Sequence, residues 1–130
     1  MKGFYPNSLI LYVSDVDIST EFYRKILKAE PLQRFEDFTV FSLSDQFVLG
    51  LQAKDAIDPK AQDQFGGFEL CLGDVTKETV DAMYAQFVKD QVSILMAPCT
   101  LDFGYTFVAL DPDGHRLRVC ATDTSHVAVI

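Results

Sequence analysis

Two segments of the chain, SLILYVSDV beginning at Ser8 and GFELCLGDV beginning at Gly67, align without a gap. They share Leu11/Leu70, Asp15/Asp74 and Val16/Val75. In both, an apolar run with strand character delivers an Asp and a Val just ahead of a helical pattern. A chain that repeats itself in this way must be built from a supersecondary unit that can be made twice.

The element order supports the duplication. Ser8–Val13 reads as a strand. Ile18, Phe22, Ile26 and Leu27 then recur at helical spacing, with Asp17 or Ser19 available as N-cap and an end near Lys28–Glu30 ahead of Pro31. LQRFED, FTVFSLS and QFVLGLQA follow as three short strands. After the polar stretch KDAIDPKAQDQFGG the pattern restarts. GFELCLGD is a strand, and Val80, Met83, Tyr84 and Phe87 mark one face of a helix. SILMAPCTL is a strand interrupted by Pro98, and YTFVALDPDGHRLRVCA is a hairpin. The chain is therefore expected to be one α+β domain, 1–130, of two tandem βαβββ modules, 1–55 and 66–130, joined by a linker at 56–65.

The hairpin turn holds Asp111, Asp113 and His115 within five positions, a spacing that could serve acid/base or metal chemistry. Its residues also suit a turn. Pro112 presets φ, Gly114 allows positive φ, and each Asp can bond nearby backbone amides. The turn reading is preferred, with His115 left in solvent.

Charge and composition narrow the partners. A net charge of −8 argues against nucleic acid and anionic membrane surfaces. No apolar run approaches the ~20 residues that span a bilayer, and LILYV is too short for a signal peptide. Cys71, Cys99 and Cys120 are an odd set without CxxC spacing, which fits free thiols in a cytoplasmic setting. His115 and His126 are the only histidines, too few for a zinc cluster of the usual kind.

The repeated βαβββ order, the strand–Asp–Val opening followed by EFYRKIL, and the closing DPDG turn resemble the vicinal oxygen chelate superfamily over nearly the whole chain. That group includes glyoxalase I, extradiol dioxygenases, fosfomycin-modifying enzymes and bleomycin-binding resistance proteins. The resemblance implies curled mixed sheets around a cleft. The family's metal ligands would fall at Ser8 and Gly67 on the first strands, and at Gly50 and Arg118 on the last. None is a plausible ligand, and Arg118 brings a permanent cation where a metal would sit. The departure implies no metal and no cofactor.

It matches the branch of bleomycin-type and phenazine-type resistance proteins, which lack those ligands and sequester an aromatic antibiotic. YVSDVDISTEFYRKIL and FGYTFVALDPDGHRLRVC look particularly like the phenazine-binding members. If the sheets curl as the resemblance implies, the candidate ligand-binding residues are Ile10, Tyr12, Phe41, Gln52, Glu69, Cys71, Phe103, Tyr105, Phe107 and Arg118. No catalytic residue is assigned. Arg118 is available to clamp a ligand carboxylate or to pair with Glu69. The expected partners are a small aromatic molecule and a second copy of the chain, with the apolar terminus VAVI suited to an interface. Two alternatives stay open. One is a diverged metal-dependent lyase or dioxygenase using Glu69, His115 or Gln52 as ligands. The other is a regulatory module whose cavity is filled by its own aromatic side chains.

Overall fold

The computed structural model describes residues 3–62 and 68–127. The end of the expected linker, Gly67 and the last three residues of the C-terminal VAVI lie outside the described residues. The chain divides into two compact units, Met1–Asp63 and Gln64–Ile130, each a βαβββ module.

In the first unit, β1 (Ser8–Val13) leads into α1 (Val16–Leu27), followed by β2 (Gln33–Arg34), β3 (Phe38–Ser44) and β4 (Phe47–Ala53). The sheet order is β1-β4-β3-β2. Parallel β1 and β4 pair at one side of it and the remaining pairs are antiparallel. Alternation along β1 buries Leu11 and Val13 completely, and Leu49 and Leu51 of β4 join them beneath α1. Tyr23 brings the helix side of this core, and the Thr20 hydroxyl donates to Thr39 Oγ1 at 2.9 Å. That bond satisfies two buried hydroxyl groups within the helix–sheet interface.

The cap of α1 is neither Asp17 nor Ser19. It is Asp15, whose side chain accepts from the Ile18 amide at 3.0 Å. Ser19 is buried one turn further on, and Asp17 instead pairs with Arg34 on the surface. The helix stops at Lys28, which adopts a left-handed φ of 52° and returns its amide to the Arg24 carbonyl. The duplicated Asp does a different job in the second unit. Asp74 takes a φ of 58° and donates its amide to Thr122 Oγ1, while Thr76 caps the helix.

The second unit contains β5 (Glu69–Leu72), α2 (Lys77–Lys89), β6 (Ser93–Leu101), β7 (Gly104–Leu110) and β8 (Arg116–Thr122). Its order, β5-β8-β7-β6, repeats the first, with β5 and β8 parallel. Phe107 is fully buried, with Tyr84 and Phe87 of α2 packed edge-on to its ring at 5.5 Å each. Contrary to expectation, Pro98 does not interrupt β6. The strand runs through it, with register shifts between Ile94 and Met96 and between Met96 and Cys99. An edge strand tolerates proline because its outer amides need no partner.

The DPDG turn is structural, as its chemistry suggests. Asp111 Oδ1 accepts from the amides of Asp113 and His115 at 2.9 and 2.8 Å, and Gly114 sits at φ 87°. The expectation of a solvated His115 is wrong. The residue is buried, its ring 5.6 Å from that of Phe68, because its backbone closes the hairpin against Asp111. Among the described residues no helix is long and apolar enough to cross a membrane.

Candidate functional site

Each sheet has one face under its helix and one face left open. In the first unit, strand register sets Tyr12, Gln52 and Phe38 in one row across β1, β4 and β3, with Ile10, Gly50 and Val40 in the next. Ile10 and Tyr12 are 41% and 45% exposed, while their neighbours Leu11 and Val13 are sealed in the core. Gln52 turns its amide to its neighbour, Nε2 donating to the Ala53 carbonyl at 3.0 Å. Ile10, Tyr12 and Gln52 thus stand on the open face. Phe41 does not. It shares the parity of Thr39, which bonds α1, and it is completely buried. An aromatic residue flanked by valine and serine on a strand can point either way, and here the helix takes it.

Gly50 explains the shape of this face. A Cβ at that position would lie 2.6 Å from both Ile10 Cδ1 and Phe38 Cζ. The two apolar side chains lean over the gap that glycine leaves. Phe38, which sequence reasoning missed, belongs to the open face for that reason.

In the second unit the open face carries a polar cluster. Glu69 and Cys71 of β5 pair in register with Arg116 and Arg118 of β8, and Arg118 pairs in turn with Val108 of β7. Arg118 Nε donates to Glu69 Oε2 at 2.6 Å, and Nη1 donates to Thr106 Oγ1 at 3.3 Å. Thr106 is fully buried and its own hydroxyl donates to the Val119 carbonyl at 2.8 Å. The guanidinium also lies over the Phe103 ring, 5.3 Å from its centroid. Phe103 sits in the β6–β7 turn and remains 38% exposed. Of the residues expected to line a site, the fold therefore brings Glu69, Cys71, Phe103 and Arg118 together. Thr106 was missed, although the alternation in YTFVAL sets it opposite Phe107.

Tyr105 and Phe107 fall on the other face. The Tyr105 hydroxyl donates to Asp81 Oδ1 of α2 at 2.5 Å, and this bond pushes the phenol pKa up. Phe107 fills the core beneath the same helix. The Tyr105 hydroxyl thus finds its partner in the helix carboxylate.

Partial burial, and then the Glu69 carboxylate beside it, push the Cys71 thiol pKa up. The thiolate is the nucleophile, so exposure alone does not make this cysteine reactive. Alkylation of Cys71 by iodoacetamide at pH 7.5 is expected to run several-fold slower than that of a free cysteine. Replacing Glu69 with Gln should speed it, as peptide mass mapping would show. An unchanged rate would remove the carboxylate from the argument.

A catalytic metal does not fit the residues at the family positions within the described chain. Ser8 offers one hydroxyl, Gly50 offers no donor and its side-chain space is filled, and Arg118 is itself cationic. The alternative donors have other roles. Glu69 holds Arg118, His115 is buried in the closing turn, and Gln52 bonds the backbone. No group of three or more His, Cys, Asp or Glu side chains suited to a metal occurs among the described residues.

The sequence model of the glyoxalase/bleomycin resistance protein/dioxygenase superfamily matches residues 6–119. The chain belongs to this superfamily. It is 34% identical over 122 residues to the phenazine antibiotic resistance protein EhpR of Enterobacter agglomerans, covering 91% of this chain and 92% of that one. An Agrobacterium tumefaciens protein solved by solution NMR is 36% identical, with a TM-score of 0.81 over 93% of this chain and 99% of the other. A glyoxalase-related enzyme from Fulvimarina pelagi shares the superfamily fold, with a TM-score of 0.78, 18% identity, and 89% and 86% coverage. The paired βαβββ modules are thus those of the superfamily, with its usual ligand positions altered.

Proposed function

We propose that this chain binds a small planar aromatic molecule, of the antibiotic type, without a metal ion, and withholds it from solution rather than converting it. The observation that carries this reading is Arg118. At a position where the superfamily's metalloenzymes carry a ligand, this chain has a cation, paired with Glu69 and laid over Phe103. The face offers an aromatic surface and a few fixed polar groups, the usual composition of a small-molecule site. Likeness to a phenazine antibiotic resistance protein over 91% of the chain supports the choice of ligand class. We place Ile10, Tyr12 and Gln52 among the ligand-facing residues of the first unit, and Glu69, Cys71, Phe103 and Arg118 among those of the second. A second copy of the chain and a cytoplasmic location complete the proposal, the latter in keeping with three free cysteines.

The test is chemical recovery. Chelator-treated protein is incubated with an equimolar amount of phenazine, separated by gel filtration, and denatured. The reading expects phenazine to co-elute with the protein and to be released unaltered. A modified product, or co-elution only after a metal is added, would contradict it.

A further inference from the structure

The ion pair on the open face of the second unit has unequal ends. Arg118 is held within the fold, with Nε on Glu69, Nη1 on Thr106 and its guanidinium carbon over the Phe103 ring. Its side chain is 13% exposed, against 33% for Glu69. Glu69 gives one oxygen to the pair. A carboxylate has roughly four acceptor sites, and among the described residues Oε1 of Glu69 has no donor. The more accessible charge of the pair is thus an acceptor.

From this we infer that Glu69, and not Arg118, selects the ligand on this face, and that the preferred ligand is a planar aromatic molecule carrying a positive charge or an N–H donor. The inference rests on the aromatic-binding reading and gives it a charge preference. An anionic ligand meets Glu69 before it meets Arg118. It must either bear that repulsion or displace Glu69, losing a hydrogen bond of 2.6 Å. A cationic ligand gains a charge-assisted bond to Oε1 and leaves the pair intact. The net charge of −8 acts in the same direction at long range, concentrating cations near the surface.

Three tricyclic probes separate the possibilities: proflavine, a cation at neutral pH, phenazine, which is neutral, and phenazine carboxylate, an anion. Affinities are measured by calorimetry for the wild type, Glu69→Gln and Glu69→Asp, each first checked for an unchanged melting profile. Gln still accepts from Arg118, and Asp keeps the charge but draws it back. The wild type should prefer proflavine to phenazine carboxylate by about tenfold or more, the scale of one hydrogen bond to a charged group. Glu69→Gln should shrink that ratio by about as much, with Glu69→Asp in between. Tighter binding of phenazine carboxylate by the wild type, or a ratio unmoved by Glu69→Gln, overturns the inference while phenazine binding upholds the parent reading. Binding of none of the three overturns both.

Discussion

Replacing Phe107 with alanine is expected to destabilise the chain by about 3–5 kcal/mol, the usual cost of emptying a buried aromatic site. The ring is fully buried, with Tyr84 and Phe87 edge-on to it, so its loss leaves a cavity that neither helix nor sheet can readily close. Thermal unfolding should fall by on the order of 10 °C for a domain of this size. Phe103, four residues earlier, provides the contrast. It is 38% exposed and its ring carries the Arg118 guanidinium, a contact worth about 0.5–1 kcal/mol. Phe103→Ala should therefore leave the melting temperature nearly unchanged and lower phenazine affinity about tenfold, a typical stacking loss. If the effects were reversed, with Phe107→Ala stable and deficient in binding, the assignment of faces in the second sheet would be wrong.

Gly104→Ala is expected to be comparably damaging, for a reason of backbone and not of packing. Gly104 has a φ of 139°, a region L-residues rarely adopt, and the added Cβ would press against the Ala121 carbonyl oxygen. Strain of this kind costs about 1–3 kcal/mol, and overpacking against immovable backbone adds roughly as much again. The glycine opens β7 directly after Phe103, so relaxation there would also move the aromatic ring away from Arg118. Chemical denaturation should show the stability loss, and phenazine titration of the residual folded protein should show weaker binding. Gly50→Ala provides the internal comparison. Its neighbours, Ile10 Cδ1 and Phe38 Cζ, are the far ends of side chains on a partly exposed face and can move aside, so the loss should be much smaller.

The architecture was legible in the sequence because duplication and periodicity are local signals. SLILYVSDV and GFELCLGDV announce the same strand-to-helix step twice, and the alternation in HRLRV places Leu117 and Val119 in the core. What periodicity did not settle was the parity of strands with large side chains on both faces. In YTFVAL the first four residues are all good strand formers, and the faces are decided by Asp81, Tyr84 and Phe87 on a distant helix. Tyr105 and Phe107 were therefore expected on the ligand side and lie on the helix side. Phe41 was misplaced in the same way. Arg118 and Glu69 could be proposed as partners because alternation sets both on the same face of their strands. The third partner, Thr106, drew no attention because a threonine in a strand looks like an ordinary β-former. His115 was expected in water because it follows a turn, and the hairpin closure buries it.

The account rests most heavily on metal-free recognition of an aromatic molecule. The most direct measurement is the melting temperature of the metal-stripped protein, taken with phenazine and, separately, with zinc, nickel, manganese and ferrous ions. A molecule that binds only the native state raises the melting temperature by mass action. Metal-free aromatic binding should give a concentration-dependent rise with phenazine in the presence of chelator, and none with any of the metals. A strong rise with one metal, and none with phenazine until that metal is present, would contradict it.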